Sequence, residues 1–229
     1  MDEQFLNTLR QFNINPSNLA FYETAFTHRS FLNESKQDNL QSNERLEYLG
    51  DAVLQLIIST YLYRERTEDP EGDLTNLRAF IVKTPSLAKI SKKLNLGQFL
   101  KMSKGEDLTG GRENNSLLAN TYEAILGAIY LDLGMDKATE FIHQTLLPEF
   151  ESEIKQGAPR DFKSQLQEAV QAKFQVSPRY RIISASGPDH SKTFVVGVFV
   201  KEELLGEGTG ANKQSAEERA AQFALRSLL

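Results

Sequence analysis

The chain has no cysteine among its 229 residues, which excludes a disulfide framework and any thiolate metal site. That absence fits a reducing compartment, so a cytoplasmic location is expected. No window approaches 18 uninterrupted apolar residues, so no membrane partner is expected. The opening Met-Asp-Glu-Gln-Phe lacks a basic stretch followed by an apolar one, so no signal peptide is expected either. Internal repeats and low-complexity segments are missing. Basic charge is also short: 26 Lys and Arg face 31 Asp and Glu, a net of −5, which alone does not point to nucleic acid. What remains is ordinary globular composition, 40% hydrophobic and 25% charged, in a chain long enough to bury a sizeable core.

The charge is uneven. Residues 160–229 hold 10 Lys and Arg against 8 Asp and Glu, while residues 1–159 hold 16 against 23. The acidic part repels RNA unless its carboxylates hold cations, and the basic part can supply phosphate affinity.

Most of residues 1–150 read as helix. Apolar residues recur every three or four positions in Leu46, Leu49, Val53, Leu54, Ile57 and Ile58, and again in Leu117, Leu118, Ile125, Leu126, Ile129 and Tyr130. Glu71-Gly-Asp73 and Gly105 to Gly111 read as breaker clusters between helices. Near Gln156 to Arg160 the chain becomes a short polar linker, and an α-β-β-β-α pattern follows. The predicted elements are a helix over Phe162–Phe174, strands near Arg179–Ala185, Thr193–Val200 and Glu203–Gly210, and an alanine-rich last helix. Ser215 and Glu218 have capping-box spacing at its start. Val170, Phe174, Tyr180, Phe194 and Phe223 read as core.

Glu44, Glu47 and Asp51 stand at i, i+3 and i+7, within about 60° of one another on one helix face. Stacked like charges cost a helix a few tenths of a kcal/mol, so an offset is expected: water and Arg45, or a divalent cation. Oxygen ligands without Cys or His favour Mg²⁺, with Mn²⁺ as a substitute, over zinc. A helical glycine at Gly50 costs about 1 kcal/mol relative to alanine, and close approach of another backbone would justify it.

The run from Asn43 to Leu54, Asn-Glu-Arg-Leu-Glu-Tyr-Leu-Gly-Asp-Ala-Val-Leu, resembles the signature segment of the bacterial ribonuclease III family. Similar segments follow in order: Ala25 to Ser30, Glu71 to Arg78, Gly105-Glu106 with Gly110 to Arg112, and Tyr122 to Asp132. The resemblance implies a mainly α N-terminal endonuclease domain of ribonuclease III type over residues 1–154, a linker over 155–160, and a small α+β double-stranded-RNA-binding domain over 161–229. It places catalytic and metal-binding carboxylates at Glu47, Asp51 and Glu123, with Glu44, Glu71 and Glu106 as supporting acids. His28 reads as a hydrogen-bonded structural histidine.

One departure stands out. The family's position three before Glu123 is normally Asp, and here it is Asn120. The amide keeps a carbonyl oxygen for a metal, removes one negative charge and adds an NH₂ donor. Three explanations of Asn120 compete: a natural variant in which it orients a water or a ligand, a natural or engineered form with weakened catalysis, and a protein that mainly binds RNA; a catalytically impaired RNA-binding dimer is therefore the alternative function. A metal-dependent hydrolase of small phosphates is a third reading, which gives residues 160–229 no purpose.

In the C-terminal part, Lys163 to Glu168, Gly187 to His190 and Gly208 to Glu217 carry the resemblance to a double-stranded-RNA-binding domain. The implied contacts are Gln167, Glu168, His190, Lys192, Asn212 and Lys213, reading mostly duplex shape. Where the family usually has a second Lys beside Lys213, this chain has Gln214. The expected activity is Mg²⁺-dependent hydrolysis of double-stranded RNA by a homodimer. A cation-acidified water would attack, a second ion would stabilise the leaving 3′-oxygen, and the products would be staggered 5′-phosphate and 3′-hydroxyl ends. Processing of ribosomal and messenger RNA is the implied role.

Overall fold

A computed structural model describes residues 3–35, 40–157, 162–188 and 192–228. The chain divides into two compact units, residues 1–158 and 159–229.

The first unit is helical. Its helices are α1 (Glu3–Gln11), α2 (Leu19–Ala25), α3 (Arg29–Glu34), α4 (Glu44–Glu65), α5 (Glu71–Val82), α6 (Thr84–Lys93), α7 (Lys104–Leu108), α8 (Asn115–Thr145) and α9 (Glu151–Gln156). The α4 stripe read from the sequence is the buried one: Leu46, Val53, Leu54, Ile57 and Ile58 all lie in the core. On α8, Leu118, Ile125, Leu126 and Ile129 are buried as well, so α4 and α8 form the centre of the unit.

Helix α8 is broken at Gly134, whose φ of 86° suits glycine. Just before the break, the Asp132 carboxylate accepts from the Ser17 and Asn18 N–H groups at 2.9 Å each and from the Tyr22 hydroxyl at 3.1 Å. These bonds tie the N-terminal segment to α8. At the other end of α4, Arg66 donates to the Ile154 and Lys155 carbonyls at 2.8 and 2.7 Å, which pins α9.

Two local expectations are corrected here. Glu71-Gly-Asp73 is the first turn of α5 and not a break between helices. Pro70 stands at its N-cap, and the acids Glu71 and Asp73 suit the exposed N–H groups and dipole of a helix start. Of Gly105 to Gly111, the first part belongs to α7, and only from Gly110, with φ of 85°, does the chain turn away.

The second unit follows the α-β-β-β-α order: α10 (Phe162–Phe174), β1 (Arg179–Ser186), β2 (Thr193–Val200), β3 (Glu203–Gly210) and α11 (Lys213–Leu228). The strands form one antiparallel sheet in the order β1-β2-β3. Leu166, Val170, Val198, Val200 and the α11 alanines make its core. Alanine is needed because β3 comes very close: a Cβ on Gly208 would stand 2.2 Å from the Ala216 carbonyl oxygen.

The capping box is also different from the one expected. Asn212 accepts from the Ser215 N–H at 2.8 Å, and Ser215 Oγ accepts from the Asn212 N–H at 3.3 Å. Glu218 instead accepts from the Phe162 N–H at 2.6 Å, joining α11 to the start of α10. Phe223 is not core. The buried stripe of α11 is Ala216, Ala220, Ala221, Ala224 and Leu225, and Phe223 falls outside it, 58% exposed. Val170 is buried, and Phe174 and Tyr180 pack against the core as expected. Among the described residues, no helix is long and apolar enough to cross a membrane.

Candidate active site

The site begins with two glycines. A Cβ on Gly50 would lie 1.8 Å from the Glu123 carbonyl oxygen, and one on Gly127 would lie 2.4 Å from the Leu46 carbonyl oxygen. The backbones of α4 and α8 therefore touch, as the glycine at position 50 suggested. Glu47 and Asp51 flank the contact on α4, and Asn120 and Glu123 flank it on α8.

The electrostatics show that these side chains feel one another. Burial, joined by the charges of Asp51 and Glu47, pushes the Glu123 carboxyl up to about 8. Burial and then Glu44 also raise Glu47; a side-chain hydrogen bond from Asn120 opposes the rise, and Asp51 adds to it. The Asn120 amide thus acts on Glu47 as a donor, which the expected Asp could not do when ionised.

The surrounding acids have other partners. Glu44 accepts from Ser42 Oγ at 2.9 Å and stands 3.6 Å from the Arg29 guanidinium. Asp51 accepts from Gln55 at 3.3 Å. Glu71 accepts from Thr75 at 3.1 Å on its own helix, and Glu106 sits in the first turn of α7, its N–H given to Ser103 Oγ. Among the described residues, neither Glu71 nor Glu106 interacts with the Glu47–Asp51–Glu123 group. His28 caps α3: its Nδ1 accepts from the Ser30 N–H at 3.3 Å and lies 2.8 Å from Ser30 Oγ. That is the structural role expected for it.

The donor set suits a hard divalent cation. All the ligand atoms on offer are oxygens, and among the described residues no Lys or Arg forms an ion pair with Glu47, Asp51 or Glu123. Also among the described residues, no three His, Cys, Asp or Glu side chains close into a ready-made metal cage.

A cleft of about 400 Å³ runs from Glu47 and Asn120 past Glu44 and Asn43 to His28 and Arg29. Sequence reasoning missed Arg29, which sits between the matched His28 and Ser30 with nothing in the sequence to mark it as facing the cleft. It also missed an exposed apolar face on α4: Tyr48 is 81%, Leu56 55% and Tyr63 73% exposed, all on one side of the helix.

In the second unit, Gln167 and Glu168 are exposed on α10 and line a shallow groove with Ser164 and Gln171. Lys213 is the first residue of α11 and is exposed. Asn212 caps that helix, and Lys192 lies just before β2. His190 lies outside the described residues.

Comparison with known proteins agrees with both units. Residues 18–150 match the family described as Ribonuclease-III-like, and residues 162–228 match the double-stranded RNA binding motif. The chain is 47% identical over 209 residues to Ribonuclease 3 of Oceanobacillus iheyensis, covering 91% of each protein. It is 44% identical to Ribonuclease 3 of Enterococcus faecalis, covering 100% of this chain and 99% of that one. The solved nuclease domain of ribonuclease III from Campylobacter jejuni superposes with a TM-score of 0.58 at 39% identity, covering 63% of this chain and 96% of that one. With its acid-bearing helix crossing and its C-terminal α-β-β-β-α unit, this chain belongs to the ribonuclease III family.

Proposed function

We propose that the chain is a divalent-cation-dependent endonuclease that hydrolyses double-stranded RNA to staggered 5′-phosphate and 3′-hydroxyl ends. The observation that carries this reading is the α4–α8 crossing, which brings Glu47, Asp51 and Glu123 together with no Lys or Arg among the described residues paired to them. Glu47, Asp51, Glu123 and the Asn120 carbonyl would hold Mg²⁺, or Mn²⁺ in its place. When bound, the cations supply an activated water and neutralise charge at the leaving oxygen.

The chain's own groups set the conditions. Glu123 keeps its proton up to about pH 8 until a cation binds, so binding releases a proton and weakens as pH falls. The Asn120 amide opposes the rise that burial and Glu44 impose on the Glu47 carboxyl. Glu44 extends the acidic surface toward Arg29. The second unit supplies duplex affinity through Gln167, Glu168, Lys192, Asn212 and Lys213, and His190 is proposed as a further contact on the sequence resemblance alone. The domain limits we propose are 1–154 and 161–229, with 155–160 as linker. The cytoplasm is the setting, and structured ribosomal and messenger RNA precursors are the substrates.

We further propose that the protein works as a homodimer joined through the exposed Tyr48–Leu56–Tyr63 face of α4. Leu118, Ile125, Leu126 and Ile129 of α8 are spent in the core, whereas α4 exposes three large apolar side chains on one side, so α4 provides the surface. The Campylobacter jejuni structure is described as showing flexibility in a region involved in dimer formation. Leu56→Arg should weaken self-association by about 3 kcal/mol, roughly 100-fold, because an unpaired charge would be buried. Sedimentation velocity should show monomers where the parent chain is dimeric. Unchanged dimers would place the interface elsewhere.

Incubating the purified protein with a long RNA duplex and Mg²⁺ tests the activity. Fragments with 5′-phosphates are expected. In parallel, Asn120→Asp adds a fourth carboxylate and should lower the Mg²⁺ concentration needed for half-maximal rate by about 10-fold. Cleavage by that variant but not by the parent chain would end the enzyme reading for this sequence.

A further inference from the structure

The cleft leading away from the carboxylates contains a cation that the proposed chemistry does not use. Among the described residues lining it, Arg29 is the one Lys or Arg, opposite Glu44 and beside His28. Its guanidinium stands 3.6 Å from the Glu44 carboxylate, with the two side chains 72% and 55% exposed. Such an open, long pair is worth little and does not hold the Arg29 guanidinium firmly.

The position of Arg29 is fixed more firmly than its side chain. His28 caps α3 through its Nδ1, which makes Arg29 the first residue of that helix. The His28 N–H also donates to the Lys101 carbonyl at 2.9 Å, and the Asn43 N–H donates to the Thr27 carbonyl at 2.8 Å. The segment carrying Arg29 is thereby joined by backbone bonds to the residue that precedes α4. A long, flexible cation is mounted on a rigid base beside the acidic site.

We propose that Arg29 is an RNA-contact residue of the nuclease unit. It binds a backbone phosphate of the strand being cut, next to the one at Glu47 and Asp51. This rests on the endonuclease reading given above. The physical need is clear: residues 1–159 carry 16 basic against 23 acidic residues, and a strand entering the cleft passes Glu44. Arg29 exchanges its weak pair with Glu44 for a charge-assisted, two-pronged bond to phosphate.

The test compares Arg29→Gln and Arg29→Lys with the parent chain, all at full length. Duplex binding is measured by fluorescence anisotropy in Ca²⁺ over a salt series. Cleavage kinetics are measured in Mg²⁺, and Mg²⁺ binding without RNA by calorimetry. For Arg29→Gln, the slope of log affinity against log salt should become shallower by about one. KM should rise about 5-fold with kcat within about 2-fold of the parent, and Mg²⁺ affinity should be unchanged. Arg29→Lys should recover most of the slope.

An unchanged slope and KM would overturn the proposal. A fall in kcat together with altered Mg²⁺ affinity would also overturn it, by making Arg29 a positioning residue for Glu44. If the parent chain cuts no duplex, the endonuclease reading fails separately, and the salt slopes in Ca²⁺ still decide the role of Arg29.

Discussion

Glu123→Gln should reduce RNA cleavage by at least ~100-fold while leaving duplex binding within about 2-fold of the parent chain. Glutamine has the same shape and keeps one oxygen, so the α4–α8 packing should survive. It cannot carry the negative charge that a divalent cation needs there. Binding depends mainly on the second unit, which the change does not touch. Quenched time courses and anisotropy on the same duplex measure the two effects.

The same substitution should have the opposite effect on stability without metal. Glu123 has a folded value of about 8 against an ordinary 4.5. The folded protein therefore binds the proton more tightly than the unfolded chain. The resulting contribution is complete below the ordinary value and is lost as pH rises through about 8. Glutamine resembles the protonated form at every pH. In EDTA above that pH, Glu123→Gln should melt a few degrees higher than the parent, by roughly 2–6 °C, and the difference should vanish near pH 4. Adding Mg²⁺ should remove the advantage by stabilising only the parent. A group that lowers stability when empty and raises activity when loaded is what a functional carboxylate cluster predicts.

Gly50→Ala should be more damaging still. The added Cβ would meet the Glu123 carbonyl oxygen at 1.8 Å and its carbon at 2.6 Å. Both are backbone atoms within a helix, so no side chain can move aside. The two central helices must separate, at an expected cost of about 3 kcal/mol or more. Thermal unfolding should fall by roughly 10 °C in a chain of this size. Cleavage should be lost with it, because Glu47 and Asp51 ride on one helix and Glu123 and Asn120 on the other. Gly72→Ala is the control: a Cβ there meets nothing within 4 Å, on the first turn of α5. It should leave melting and activity close to those of the parent.

Much of this was legible in the sequence because periodicity reports burial directly. The stripe on α4 from Leu46 to Ile58 faces the core as its spacing predicts, and so does the α-β-β-β-α order after residue 160. Gly50 was informative for the same reason: its cost within a helix requires a neighbour, and the neighbour is Glu123.

What the sequence hid depends on side-chain geometry between distant segments. Glu71-Gly-Asp73 has the composition of a break, yet Pro70 and the two acids make it a helix start. Ser215 and Glu218 have the right spacing for a capping box, but Phe162 claims Glu218 from 56 positions away. Phe223 is as apolar as any core residue, and only the choice of alanines on α11 turns it outward. The raised acidity range of Glu123 comes from its burial beside Asp51 and Glu47, and Arg29 lines the cleft because the backbone around Thr27 is tied to Asn43. None of these pairings has a local pattern.

The claim beneath all of this is that the α4–α8 crossing is a divalent-cation site. Anomalous diffraction from crystals of the protein soaked in Mn²⁺ tests it most directly. The account predicts a peak bounded by Glu47, Asp51, Asn120 and Glu123, absent from crystals of Glu123→Gln. A featureless crossing in the parent chain, under conditions where it cuts duplex RNA, would contradict it.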